Sequence, residues 1–450
     1  MKKLALVMSL FLILVISNSF AQENPAEDLY RMGQELLNGG QYKEALEYFN
    51  RSLEIAPDDV MVLNDKGVAL YFLNRYREAI EILQRVLELD PEYTTAYYNL
   101  GTIYLEIEDY PQAEKHLLEA LERQRDNGDA HYNLGLVYLN SGDYYKALVH
   151  FQEAFRLSQN LNALNNSGNC YYYLGFWELA EEMYQKVLDQ DPSYFYAYYN
   201  LGNAYAEQGE LQKAEALYKK AIDLDPEYTD AYNALGNLYY TQEKYPQALE
   251  TYQKTVTLDP FYISGWLNLG NTYYEMGYLY RSIDAYEKLL ELNPNDHQVL
   301  TYIGINYIDL GRYHTAIEKL QEALHIRPDY APAFFNLGNA YFNINDLSSA
   351  VAMYEKVLAI DPEYLLARYN LANCYFQMEK YPEAISEYQK AIELDPDNPE
   401  IHYQLGLTYI KQGAMEEAEK QIKILTALDP KLAQKLRQEI ESRGRSDSTL

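Results

Sequence analysis

Residues 195–228 read FYAYYNLGNAYAEQGELQKAEALYKKAIDLDPEY, and residues 331–364 read APAFFNLGNAYFNINDLSSAVAMYEKVLAIDPEY. Aligned, the two stretches share one frame. In the first, Tyr198, Leu201, Gly202 and Tyr205 form one apolar stripe, Ala214, Tyr218 and Ala221 a second, and Pro226 follows. In the second, the same places hold Phe334, Leu337, Gly338, Tyr341, Ala350, Tyr354, Val357 and Pro362. Steps of three and four are the helical period. A polar turn such as Glu207-Gln208-Gly209-Glu210 separates the stripes, and proline ends the second because it cannot continue a helix. Each stretch therefore encodes a helical hairpin.

Working outward, the glycine returns as Gly33, Gly67, Gly101, Gly135, Gly168, Gly202, Gly236, Gly270, Gly304, Gly338 and Gly406, with Ala372 standing in once. Every step is 34 residues except the 33 between Gly135 and Gly168. Such a period means one small unit stacked on its neighbours, with a core distributed along the stack. The frame delimits twelve units: 26–59, 60–93, 94–127, 128–160, 161–194, 195–228, 229–262, 263–296, 297–330, 331–364, 365–398 and 399–432. Within a unit, Gly at place 8 and Ala at place 20 let the two helices approach. Large residues at places 4, 11 and 24 fill the space around that contact.

This pattern strongly resembles the tetratricopeptide repeat, W-x2-L-G-x2-Y followed by A-x3-F and P. The resemblance implies an all-α fold, an α-solenoid superhelix of about twelve helix-turn-helix repeats. A capping helix is expected over 433–443, where Leu432, Leu436 and Ile440 share a face, and a disordered tail over 444–450. Departures are few: Ser282 replaces the usual Ala, and Arg125 and Gln159 stand where Pro is expected. The stacking near Gln159 to Asn166, after the shortened fourth unit, is expected to be the least regular.

Tyrosine is abundant, at 49 residues, and from the third unit on it always fills place 11. Core packing explains that set better than a tyrosine-rich binding surface does. The net charge of −30 becomes about −32 once Lys2 and Lys3 are removed with the leader. Nucleic acid needs a basic footprint, so it is excluded as a partner, as is docking on anionic lipid. A neutral or basic protein or peptide partner is favoured.

Lys2 and Lys3 precede an apolar run from Leu4 to Ile16, followed by small and polar residues to Ala21. Residues 1–21 read as a secretory signal peptide. The expectation is export to the periplasm or outside, a bacterial envelope being favoured, with no membrane span in the mature chain. Cys170 and Cys374 occupy the same place six units apart. At roughly 10 Å per stacked helix, they lie far beyond the ~7 Å that a disulfide spans.

No phosphate-binding loop, H-E-x-x-H or G-x-S-x-G occurs. The seven histidines are scattered, no two at a ligand spacing, and His131 and His402 at place 4 read as core. No catalytic residue, metal site or cofactor is expected, so the reading is a non-catalytic scaffold. Two Asn-x-Ser sequons stand at Asn50 and Asn165.

Places 2, 5, 6, 9, 12 and 13 share one face of the first helix. In tetratricopeptide arrays, that face lines the inside of the superhelix and binds peptides. Here, place 6 holds Asn99, Asn133, Asn166, Asn200, Asn268, Asn336 and Asn370, and place 9 holds Asn169, Asn203, Asn237, Asn271, Asn339 and Asn373. Tyr98, Tyr132, Tyr199, Phe335, Tyr369 and Tyr403 lie beside them at place 5. An amide offers donor and acceptor together, which suits an extended peptide backbone. The arrangement resembles the asparagine ladder of the protein O-GlcNAc transferase superhelix. A second reading has the amides bridge adjacent helices, and one amide can serve both ends. No place 5 is basic, which argues against a carboxylate clamp. The expected function is multivalent capture of extended segments. The alternatives are a structural subunit of an envelope or secretion assembly, or the targeting arm of a transferase complex.

Overall fold

A computed structural model describes residues 25–447, with side chains to 442. The leader expected at 1–21 lies outside the described residues. Among those residues the fold is all-α, and it divides into two compact bodies meeting in sequence at Pro226 and Glu227.

The N-terminal body holds α1 (Pro25–Asn38), α2 (Tyr42–Ile55), α3 (Val60–Phe72), α4 (Tyr76–Leu89), α5 (Thr94–Glu106), α6 (Tyr110–Arg123), α7 (Gly128–Asn140), α8 (Tyr144–Ser158), α9 (Leu161–Tyr173), α10 (Trp177–Gln190), α11 (Phe195–Glu207) and α12 (Leu211–Leu224). The C-terminal body holds α13 (Thr229–Thr241), α14 (Tyr245–Leu258), α15 (Ile263–Glu275), α16 (Leu279–Leu292), α17 (His297–Asp309), α18 (Tyr313–Ile326), α19 (Ala331–Asn343), α20 (Leu347–Ile360), α21 (Leu365–Gln377), α22 (Tyr381–Leu394), α23 (Pro399–Gln412), α24 (Met415–Leu428) and α25 (Pro430–Asp447). Within each body, consecutive helices pair as hairpins and each hairpin packs on the next. This is a tetratricopeptide-type solenoid.

The close approach at place 8 is literal. A Cβ added to Gly270 would stand 2.4 Å from Cε1 of Tyr286, and one added to Gly168 2.5 Å from Cε1 of Tyr184. The place-24 side chain therefore packs directly on bare backbone, and the place-20 Ala beside it is buried in every hairpin that has one. In several hairpins a polar place-4 side chain ties the hairpin to the link before it. Trp266 Nε1 donates to the Pro260 carbonyl at 2.9 Å, and Arg368 Nη2 to that of Pro362 at 2.5 Å.

Every first helix ends the same way. The residue at place 15 turns left-handed, from Gly40 and Asn74 through to Glu379 and Gly413. The next amide then closes back on place 11, as Tyr278 N–H does on the Tyr273 carbonyl at 2.8 Å. This left-handed cap satisfies carbonyls that the helix end would orphan. Glycine holds the place in most hairpins, but Glu108, Glu243 and Glu379 hold it at φ of 61°, 58° and 59°.

The shortened fourth unit is resolved in its link. Elsewhere the second helix ends on an extended residue such as Asp191, at φ −134°, and a short turn follows. After α8, Gln159 turns left-handed at φ 54° and Asn160 caps α9 at once, accepting from Asn162 N. The irregularity stays in one residue, because Ala154 and Ala163 on either side remain fully buried.

The last helix departs from its expected bounds. It starts at Pro430 rather than 433 because proline is pre-organised for a first helical position and Asp429 caps it, accepting from Lys431 N and Leu432 N at 2.8 and 3.2 Å. It continues to Asp447, so Gly444 does not stop it; 444–447, expected as disordered tail, are helix, and 448–450 lie outside the described residues. In the twelfth hairpin, Leu436 of this helix, not the place-24 residue Ile422, sits closest to the place-8 glycine. It would meet a Cβ on Gly406 at 2.4 Å.

Left-handed backbone costs a residue with a Cβ roughly 1–2 kcal/mol, partly offset by the extra freedom glycine gives the unfolded chain. Glu243→Gly is therefore expected to stabilise the protein by about 0.5–1 kcal/mol, read as a higher urea midpoint. An unchanged or lower midpoint would refute this account of the turn.

Candidate functional site

The face singled out from sequence lies on the first helices, and its asparagines are half-buried except for Asn237, which is exposed. The two asparagine rows behave differently.

The place-9 row is tied inward. Tyr184, Tyr218, Tyr252, Tyr286, Tyr354 and Tyr388 at place 24 donate their hydroxyls to Oδ1 of Asn169, Asn203, Asn237, Asn271, Asn339 and Asn373, at 2.6–2.8 Å. The correspondence is complete: place 9 is Asn in the six units where place 24 is Tyr, and in no other. Where place 24 is apolar the asparagine is gone, as in Val68 with Leu83, Leu136 with Phe151, and Ile305 with Leu320. A hydroxyl buried against another helix needs a partner, and the amide supplies it. The sequence carried this signal as co-occurrence fifteen residues apart, and reading place 9 by its face alone missed it.

The place-6 row reaches sideways to the preceding hairpin. Asn99 Nδ2 donates to Asn64 Oδ1 at 2.9 Å, Asn133 to Thr102 Oγ1 at 3.0 Å, Asn166 to the Tyr132 hydroxyl at 3.4 Å and Asn200 to Asn165 Oδ1 at 3.1 Å. In the C-terminal body, Asn268 donates to both Asn233 and Asn237, and Asn370 to Asn339. Asn336 alone turns back, to the Pro332 carbonyl of its own helix. The amides therefore do bridge adjacent first helices. Asn165 is buried within this network, which closes its sequon to a glycan in the folded chain.

At place 5, Tyr132, Tyr199, Phe335 and Tyr369 lean on the place-24 ring of their own hairpin, with centroids 5.7–6.1 Å apart. Tyr98 is half-buried between Thr102 and Asn133. Tyr403 does not belong to an open face. It is only 4% exposed, because α25 packs on α23 and brings Lys435 Nζ to 4.9 Å from its ring.

The bridges leave gaps where a rung is missing. In the C-terminal body, Tyr302 replaces the place-6 asparagine opposite Asn271, and a cleft of about 240 Å³ opens there between α15 and α17. In the N-terminal body, Val68 cannot accept from Asn99, and a cleft of about 160 Å³ lies among Tyr71, Phe72 and Tyr98.

Sequence spacing gave the histidines no partners, but the structure corrects this for one pair. His131 at place 4 and His150 at place 23 face each other across the hairpin, Nδ1 to Nδ1 at 2.9 Å. His402 makes the same contact with Gln421 at 2.8 Å, and Arg368 with Glu387 at 2.9 Å. Among the described residues, no third ligand joins the histidine pair to hold a metal ion. Burial, reinforced by His131, pushes the His150 imidazole down to about 4. Burial also pushes the Cys170 and Cys374 thiols up to about 12, so both are unreactive as thiolates near neutrality. Among the described residues, no helix is long and apolar enough to cross a membrane.

Hairpins stacked in this register, with interaction groups spread along the first helices, define a class of helical-repeat scaffold. Comparison with known families agrees. Models of the tetratricopeptide repeat match residues 26–92, 73–135, 128–161, 166–229, 217–250, 236–277, 263–296, 304–345, 345–387, 372–413 and 399–432. The chain belongs to the tetratricopeptide-repeat family, and it is a scaffold for protein–protein interaction. No curated protein sequence matches it. Among solved structures it is similar to the APC/C hetero-tetramer Cut9–Hcn1, at 17% identity over 94% of this chain and 98% of that one, with a TM-score of 0.44. It is similar to YrrB, described as a TPR protein with an unusual peptide-binding site, at 30% identity over 41% and 96%, TM-score 0.37. It is also similar to MamA, at 30% identity over 37% and 97%, TM-score 0.35.

Two outcomes follow from this geometry. Asn203→Ala strands the buried Tyr218 hydroxyl and is expected to cost about 1–3 kcal/mol, whereas Asn203→Leu with Tyr218→Phe, which copies the apolar pairs found elsewhere in the chain, recovers most of it. Equal losses in single and double variants, by urea denaturation, would refute the pairing. For His150, the unfolded chain takes up a proton below pH 6.5 that the folded chain refuses until about pH 4. Stability is therefore expected to fall as pH drops through that window. His150→Gln should weaken the dependence, and parallel pH profiles for the two proteins would contradict it.

Proposed function

We propose that this protein captures extended polypeptide segments along the first-helix face, holding their backbones with its asparagine amides. The observation that carries the reading is the division of labour between the two rows. Place-9 amides give Oδ1 to a tyrosine, and place-6 amides other than Asn336 give Nδ2 to a neighbour. Except at Asn169 and Asn166, where the two unspent ends meet at 3.2 Å, this leaves place-9 N–H groups and place-6 oxygens for a guest, the complement of a peptide group. Backbone recognition of this kind is indifferent to sequence, and repetition makes it multivalent.

The apolar run at Leu4 to Ile16 behind Lys2 and Lys3 supports export, and with it action in the periplasm or outside the cell. The acidic surface, at −30 overall, favours neutral or basic segments.

Place-6 variants test the reading, because their removal leaves no tyrosine hydroxyl stranded. Asn200→Ala with Asn268→Ala is expected to weaken binding of unrelated extended peptides alike, by about 0.5–1.5 kcal/mol per lost hydrogen bond. The melting temperature should shift less than it does for Asn203→Ala. Calorimetric titration showing unchanged affinity in the double variant would rule the ladder out.

A further inference from the structure

The cleft between α15 and α17 differs from its counterpart in the N-terminal body in a way that points to a guest. Its walls are the rings of Tyr240, Tyr274, Tyr286 and Tyr302, with Glu275 at the exposed mouth and Asn306 behind. Tyr286 and Tyr302 lie 5.6 Å apart at 30°. In the other cleft, Phe72 stands at the place of Glu275 and Ile103 at the place of Asn306.

Three observations concern charge and unmet hydrogen bonding. Asn306 is 1% exposed, and its Oδ1 has no partner. Its Nδ2 donates to the Tyr302 carbonyl at 2.9 Å, so flipping the amide would set oxygen against oxygen. Glu275 and Asp309, which accepts from the Tyr274 hydroxyl at 2.8 Å, form no ion pair among the described residues. Elsewhere the chain covers tyrosine rings with its own cations, Lys213 on Tyr205 and Arg281 on Tyr273, but among the described residues none of the four cleft rings carries one.

We infer that this cleft is a cation-recognition pocket that seats the lysine side chain of a bound segment. Tyrosine faces attract a cation through the ring quadrupole, and more so when it is desolvated. The lysine stem suits an aromatic wall while its compact ammonium brings three N–H donors. One meets the orphaned Asn306 carbonyl and another the Glu275 carboxylate. A quaternary ammonium would satisfy the rings and leave both acceptors unmet. The inference rests on the proposed capture of extended segments and names what that face selects.

The test uses the whole chain and two extended peptides of Gly and Ser, one with a central lysine and the other with norleucine. Calorimetry is expected to show the lysine peptide binding about tenfold tighter, a preference falling below about threefold in Glu275→Gln and in a trimethyl-lysine peptide. Glu275 is exposed, so that variant does not threaten the fold; Asn306→Leu is the second variant, with the same expected loss. Equal or tighter norleucine binding, or a lysine preference that survives Glu275→Gln, overturns the pocket and leaves the groove reading standing. If neither peptide binds, the groove reading fails, and n-butylammonium decides the pocket alone. Fluorine resonances of 3-fluorotyrosine at 274 and 302 that move with n-butylammonium and not with n-butanol uphold it, and unmoved resonances overturn it.

Discussion

A bulky side chain seated on a bare stretch of helix, a tyrosine in half of the hairpins, is the contact on which this molecule depends. Glycine at place 8 removes the Cβ that would collide with the ring at 2.4–2.7 Å. The ring then buries its bulk at the centre of the hairpin, but its hydroxyl ends up between helices, away from water. Such a group costs free energy unless it is hydrogen-bonded. The cheapest remedy is an acceptor one position after the glycine, on the same helix and facing the same way. The five Gly-Asn pairs, and Ala372-Asn373, each with a tyrosine sixteen residues beyond the first member, are one solution to one packing problem, repeated. The repeats with Leu or Phe at place 24 solve it by removing the hydroxyl, and at Val68, Leu136 and Ile305 the place-9 polar group goes with it.

This gives the asparagines a structural origin that does not compete with binding. An amide fixed at one end by a tyrosine is held in a single rotamer, and its other end is presented without further ordering. Pre-organised groups lose little freedom when a ligand arrives. Where the pattern breaks, at Tyr302, which interrupts the amide row, and at Val68, which leaves Asn99 linked to Asn64 alone, clefts form. The face is thus a row of amides punctuated by hollows, and the hollows differ in chemistry because the residues that break the pattern differ.

The hairpins and their order were legible from the glycine period, because close helix contact admits few residues and each leaves a fixed offset. The left-handed turns were partly legible: seven glycines, with Asn74 and Asn345, mark them at place 15, but Glu108, Glu243 and Glu379 hide the rest. The His131–His150 contact was not legible. It joins places nineteen apart on opposite helices, and no helical periodicity relates them. Tyr403 follows its repeat faithfully in sequence, and only the packing of α25 decides that it is covered. The start of α25 could have been read from Asp429-Pro430, a cap followed by the residue best suited to a first helical turn.

Leu436 has a consequence for how the array can grow. A repeat stack resembles a polymer whose every subunit offers its neighbour the same joint, so units can be gained or lost by duplication inside it. At Gly406 the joint is filled from outside the repeat, by a fully buried leucine of α25. The twelfth hairpin is therefore specialised: it is committed to that helix and is a poor template for copying. Duplication anywhere upstream preserves the fold, whereas duplicating the twelfth hairpin alone yields a glycine whose cover is missing. That asymmetry channels changes in length to the interior of the array.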